Sequence, residues 1–257
     1  MYTYLEVSED NQVVCININR RERLNSLGLV LGKELLSCLT LIKGRTDSYL
    51  SRTDTLNTPR IVVLSATPTN EIWVAGGDLK ELSDLNAIEV HEYVILWTEI
   101  CLLLRNLPVV TVAVIDGACL GGGAELAMSC DLRLITDVAS FSFKQVRIGL
   151  SLGYGTTALM MRLLGEARAR SILLLGKTIS SKEAEALGLV EPLSTEETLD
   201  RDRNELIHRI LSISPYGIAT QKKNFELLPQ ESEAISFLAN WGNPDHRKFL
   251  NDFKSKS

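Results

Sequence analysis

The chain lacks a basic block. Its 27 lysines and arginines face 32 aspartates and glutamates over 257 residues, for a formal net charge of −5. Nucleic-acid binding needs a clustered positive face, so that class is excluded, and any anionic ligand must be held by a few local cations. No CxxC pair occurs either. The five cysteines (Cys15, Cys38, Cys101, Cys119 and Cys130) sit mostly within apolar runs. An odd count without metal-ligand spacing points to reduced, buried thiols in a reducing compartment. The apolar run LPVVTVAVI is far short of the ~20 residues a membrane-spanning helix requires. The opening MYTYLEVSEDNQVV shows strand-like alternation and no signal or transit peptide. Internal repeats and low-complexity segments are also missing. What remains is a soluble protein expected in the cytoplasm. At 45% hydrophobic and 23% charged residues it has ordinary globular composition, long enough for one large domain or one domain with an appendage.

Periodicity supplies the organisation. YTYLEV and VVCINI read as two strands joined by SEDNQ. Ser26–Lys43 carries leucines at helical spacing, with Ser26 as the expected N-cap. Residues 44–60 are polar and aperiodic, and read as an exposed loop. IVVLSA and VVTVAVIDG read as buried strands, Ile88–Arg105 as a long amphipathic helix, and LRLIT as a further strand. Gly153 opens the helical run that includes TTALMMRLLG. Ser180-Ser181-Lys182-Glu183 has the form of a capping box, with Gly188 as the helix stop. Strands alternate with helices to about residue 193, which predicts α/β architecture with mostly parallel sheet. From Thr195 onward every periodic stretch is helical. The expected division is a core over 1–194 and a helical oligomerisation region over 195–257, whose apolar faces (Leu206, Ile210, Ile213; Ile235, Leu238, Trp241) a small tail cannot bury alone.

Two glycine turns carry the chemistry. Ala75-Gly76-Gly77-Asp78 and Gly121-Gly122-Gly123-Ala124 each lie between a strand and a helix start. Such a turn exposes backbone N–H groups that no carbonyl takes up, and glycine lets a ligand approach them closely. Two amides aimed at one point would polarise a carbonyl and hold its developing oxyanion. Neither stretch has the GxGxxG spacing of a dinucleotide site. Glu125 follows the second turn, within an otherwise apolar helix start. Burial there would raise its pKa, while the helix N-terminus would oppose the rise.

AGGDLKEL and IDGACLGGGAELAMSCDLRL resemble the two signature segments of the crotonase (enoyl-CoA hydratase/isomerase) superfamily. RRERLNSL resembles the same family's RPxxxNAL, with Arg21 replacing the proline, and KEAEALGLVEPL and WGNPDHRKFL resemble further family segments. The likeness runs nearly end to end, with a longer loop at 44–60. It implies a spiral of ββα units, acyl-CoA thioester substrates, and C-terminal helices that build a homotrimer or hexamer. Coenzyme A enters as part of the substrate, and no metal or redox cofactor is implied. The oxyanion hole maps onto the N–H groups of Gly77 and Gly122. Ala75, Gly76, Asp78, Gly121 and Gly153, with Arg23 and Lys80, map onto substrate or coenzyme A contacts.

In such proteins Glu125 is one of two catalytic glutamates, and the second maps onto Gln145. A glutamine can orient water but cannot exchange protons at neutral pH. The leading reaction is therefore a hydratase/dehydratase-type lyase working with one acid. Decarboxylation, isomerisation and non-catalytic acyl-CoA binding are the alternatives. Lys144 and Arg147 flank Gln145 and could hold a substrate carboxylate. Gly149–Gly153, GLSLG, matches the GxSxG nucleophile elbow, but the preceding KQVRI is too polar for the buried strand that elbow needs. The three histidines (His91, His208, His246) fall in helix or tail segments.

Overall fold

The computed structural model of the chain describes residues 2–47, 58–226, 248 and 251. Nine strands form two sheets among these residues. β1 (Leu5–Asp10), β2 (Val13–Ile18), β3 (Ile61–Ala66), β5 (Val110–Ile115) and β7 (Leu132–Ile135) make a five-stranded sheet in the order β1-β2-β3-β5-β7. β4 (Ile72–Val74), β6 (Ala118–Leu120), β8 (Ser140–Ser142) and β9 (Thr178–Ser180) make a four-stranded sheet in the order β4-β6-β8-β9. The β1–β2 and β8–β9 pairs are antiparallel, and the rest run parallel. From β3 to β8 consecutive strands alternate between sheets. β3, β5 and β7 enter the larger sheet, and β4, β6 and β8 follow after short links into the smaller one. Helices then return the chain to the start of the next turn. This is the expected α/β spiral of ββα units.

Among the described residues the helices are α1 (Leu29–Thr46), α2 (Leu79–Asp84), α3 (Ala87–Asn106), α4 (Gly122–Met128), α5 (Thr156–Leu164), α6 (Glu166–Leu174), α7 (Ser181–Ala186), α8 (Leu199–Leu211) and α9 (Pro215–Glu226). The Ser180 capping box forms in both directions, and Gly188 follows α7 in a left-handed conformation (φ 68°). α1 starts later than the sequence predicts. Its N-cap is Gly28, not Ser26, and the Leu29 N–H is capped by Glu81 Oε1 at 2.8 Å. An acceptor supplied from α2 replaces the local one. At its other end α1 runs through residues 44–46, which the sequence assigns to a loop; 48–57 lie outside the described residues. The run expected to open at Gly153 begins as helix only at Thr156, behind Gly155 in a left-handed conformation.

The central strands β3 and β5 of the larger sheet are buried on both faces, as their continuous apolar runs require, while β1 at its edge is mostly exposed. Val62, Leu64, Ala113 and Ile115 face the main core, while Ile61, Val63, Val112 and Val114 face the opposite side. There α8 covers them with Leu206 and Ile210, 8% and 4% exposed. Each such side chain stabilises the fold by roughly 1.5–3 kcal/mol. This corrects the reading of Leu206 and Ile210 as interface residues: the chain buries them itself. Ile213 stays exposed, and Ile235, Leu238 and Trp241 lie outside the described residues. No helix among the described residues is long and apolar enough to cross a membrane.

Candidate active site

The first glycine turn leaves the end of β4 and is fixed by the segment before α1. Ala75 N–H donates to Leu24 O at 3.1 Å, and Gly77 pairs with Leu27 in a parallel bridge. That bridge uses the Gly76 carbonyl (from Leu27 N, 2.7 Å) and the Asp78 N–H (to Leu27 O, 3.2 Å). The N–H of Gly77 is left outside it. Gly76 has φ +88°, and a Cβ there would lie 2.5 Å from Leu120 O and 3.1 Å from Gly122 N. Glycine is obligatory at this position, because the two turns are stacked on each other.

The second turn leaves the end of β6. Gly121 N–H donates to Ser142 O at 2.8 Å, and Gly121 O accepts from Ala124 and Glu125 N–H. Gly122 is the first residue of α4, so its N–H has no carbonyl one turn earlier. Among the described residues neither Gly77 nor Gly122 N–H donates to an acceptor. A Cβ at Gly123 would collide with the Val74 carbonyl, so α4 can lie on β4 only with glycine there.

Glu125 is 2% exposed in the first turn of α4. Its Oε2 accepts from Tyr154 N–H at 3.0 Å, and its Oε1 accepts from Gly153 N–H at 3.3 Å and Gln145 Nε2 at 3.0 Å. Burial pushes its pKa up, against the opposing pull of the Tyr154 and Gly153 amides and the Thr156 and Gln145 side chains. Gln145 begins a short 3-10 turn (Gln145–Ile148), and its own Oε1 is buried without a partner. A buried acceptor left open beside a carboxylate is a place for a donor.

The other expected site residues divide into two groups. Gly121 and Gly153 join Glu125 and Gln145, whereas Arg23 and Lys80 are exposed beside the first turn. Asp78 is 5% exposed and caps α2 by accepting from Glu81 N–H at 3.1 Å, while pairing with Arg20 at 2.9 Å. Burial opposes its ionisation, but the Glu81 amide and the charges of Arg20 and Arg23 together hold its pKa below the ordinary value. Arg147, considered for a substrate carboxylate, spends its guanidinium on Gly176 O and Leu175 O, both at 3.1 Å. Ser151 of the GLSLG stretch sits exposed and outside any helix or strand, and His91 and His208 are exposed on α3 and α8. His246 lies outside the described residues. All five cysteines are free, and burial pushes the Cys101 and Cys130 thiols up to about 12, which makes them inert. Among the described residues no cluster of three or more metal-ligating side chains occurs.

Sequence reading missed two tyrosines. Tyr93 of α3 and Tyr154 in the loop before α5 are buried with their hydroxyls 3.0 Å apart. The i, i+4 spacing of Tyr93 and Trp97 marks only a core-facing helix stripe. No local signal links either residue to Tyr154, 61 positions away.

A ββα spiral with two open glycine amides beside a buried glutamate defines a protein of the crotonase class. The model of the enoyl-CoA hydratase/isomerase family matches residues 8–239, and the chain belongs to that family. Among proteins of this kind, it is 28% identical to a short-chain-enoyl-CoA hydratase of Clostridium acetobutylicum over 217 residues, 84% of this chain and 78% of that one. It is 27% identical to an enoyl-CoA isomerase/hydratase of Mycosarcoma maydis, over 93% of this chain and 88% of that one. The crystal structure of an enoyl-CoA hydratase from Bacillus anthracis superposes with a TM-score of 0.88 at 29% identity, covering 99% of this chain and 97% of the other.

Proposed function

We propose that the chain is an acyl-CoA lyase that hydrates 2-enoyl-CoA thioesters, or dehydrates the corresponding 3-hydroxyacyl-CoA, with a single carboxyl group. The observation that carries this is Glu125: a buried carboxylate with a raised pKa, one helical turn from an open amide. The thioester oxygen accepts from Gly77 and Gly122 N–H. Glu125 takes a proton from water as the water oxygen bonds to the β-carbon, and the electron pair of the double bond moves to the thioester as an enolate. The protonated Glu125 then returns that proton to the α-carbon. One acid suffices because the proton removed is the proton delivered, and a raised pKa suits a group that must do both. The open Gln145 Oε1 accepts the second water hydrogen.

A second reading, decarboxylation, draws on the replacement of the second acid by Gln145. It requires a cation for the substrate carboxylate; of the two candidates, Arg147 is already committed to two carbonyls, which leaves the exposed Lys144 beside Gln145. Incubation with enoyl-, 3-hydroxyacyl- and malonyl-type CoA thioesters, with products identified by mass spectrometry, separates the readings. Water addition to crotonyl-CoA is the expected outcome. Loss of carbon dioxide from a malonyl-type thioester without hydration would replace it with the second reading. Tight binding without turnover would make the chain a binder. Assembly as a trimer or hexamer now rests on Ile213 and the residues after 226, and light scattering at micromolar concentration tests it.

A further inference from the structure

The two glycine turns share an aromatic neighbour. A Cβ placed on Gly122 would lie 2.9 Å from Tyr154 Cε2 and 3.3 Å from its hydroxyl, and one placed on Gly77 would lie 3.1 Å from the Tyr93 hydroxyl. Tyr93 donates to Leu27 O at 2.9 Å. A phenol carries one hydrogen, so in the 3.0 Å hydroxyl pair Tyr154 is the donor. The bonds therefore run from Tyr154 to Tyr93 to the Leu27 carbonyl, the same residue that bridges Gly77. Trp97 packs behind both rings, with centroids 6.4 Å and 6.3 Å away. All three aromatics are nearly excluded from solvent, at 3%, 0% and 6% for Tyr93, Trp97 and Tyr154.

We propose that Tyr154, latched by Tyr93, is the wall that ends the acyl compartment and restricts the chain to short acyl groups. This rests on the acyl-CoA reading above. A thioester oxygen held at Gly77 and Gly122 puts the reacting carbons beside Glu125. Tyr154 meets that place twice, through its N–H on Glu125 Oε2 and through its ring against Gly122. An acyl chain that continues past the reacting carbons runs into the ring. Moving the ring breaks the hydroxyl bond to Tyr93 and the packing on Trp97. Burial raises the pKa of both phenols, so the latch stays protonated and closed through the neutral range.

The test compares butyryl-CoA and decanoyl-CoA binding by calorimetry in the wild type, Tyr154→Ala, Tyr154→Leu and Tyr154→Phe. Crotonyl- and 2-decenoyl-CoA turnover is measured alongside. Tyr154→Ala should shift the affinity ratio toward decanoyl-CoA by about tenfold or more, the worth of about two newly buried methylenes. Tyr154→Leu should shift it in the same direction by less, and serves if the alanine variant does not fold. Tyr154→Phe keeps the ring but loses the hydroxyl bond to Tyr93, so it should shift the ratio the same way by less than Tyr154→Leu, and an unchanged ratio in it would overturn the latch. Butyryl-CoA binding with an unchanged ratio in the alanine or leucine variant overturns the wall and leaves the acyl-CoA reading intact. Failure of the wild type to bind either thioester overturns both.

Discussion

The two glycine turns end neighbouring strands and leave one amide open each, yet they are held by different forces. Beyond its backbone bonds to Leu24 and Leu27, the first is fixed by polar side chains remote in sequence. Arg20 pairs with Asp78 at 2.9 Å and Glu81 at 3.6 Å, and Glu81 reaches the Leu29 N–H. The second is fixed by backbone and volume: Gly121 bonds to Ser142 O, and Gly123 lies flat under Val74. The same donor can therefore be made rigid electrostatically or sterically. The first turn should respond to charge removal and pH, the second to added atoms.

The largest effect is expected at the second turn. Glu125→Gln removes the one carboxyl in position for proton transfer, and turnover should fall by roughly 10²–10⁴. Circular dichroism should show the fold retained, and full activity would remove Glu125 from the chemistry. Gly122→Pro should lower kcat by about 10²–10³ relative to Gly122→Ala. Both variants crowd Tyr154, but only proline deletes the N–H. Equal rates in the two would mean the amide is not used.

At the first turn, Arg20→Ala strands the buried Asp78 carboxylate, and denaturation should register about 3–5 kcal/mol of lost stability. A change within error would show that the turn needs no charge to hold it. Gln145→Glu should raise crotonyl-CoA hydration about tenfold and turn a single rising pH limb into a bell, as a second titrating acid appears. A profile unchanged in height and shape would separate Gln145 from the reacting water.

The smallest effects are in the pH dependence of stability, where the two carboxylates have opposite signs. Asp78 has a folded pKa below its ordinary 3.8, so its contribution is complete above that value and lost as pH falls through the folded pKa. Glu125 has a folded pKa above its ordinary 4.5, so stability declines as pH rises from there through the folded pKa. Urea titrations across this range should show the acid-side loss reduced in Asp78→Asn and the later decline absent in Glu125→Gln.

Both turns were legible in the sequence because each is written in consecutive residues: a strand, glycines, then a helix start. Glu125 was legible for the same reason, as a fixed offset from the second turn, whereas Gln145 was placed through the family resemblance. The cap of α1 was not, because Glu81 supplies it from 52 residues away and displaces the local candidate Ser26. Leu206 and Ile210 form a helical stripe that a sequence cannot assign to a partner or to the chain itself; the outer face of the larger sheet claims them. The Tyr93–Tyr154 pair has no local pattern at all. What escaped was what joins distant segments through side chains.

The alternation of strands between two sheets makes the smaller sheet a ruler. β4 and β6 are hydrogen-bonded neighbours, with Gly77 three residues past the end of the one and Gly122 two residues past the end of the other. Adjacent strands lie about 4.8 Å apart. Two amides at that separation can each reach an oxygen between them at about 2.9 Å, meeting it at an angle of roughly 110°, close to that between the lone pairs of a tetrahedral oxyanion. The ladder sets where the two turns begin, and the bridge of Gly77 to Leu27 sets the course of the first. A slip in the β4–β6 register would therefore move one turn relative to the other.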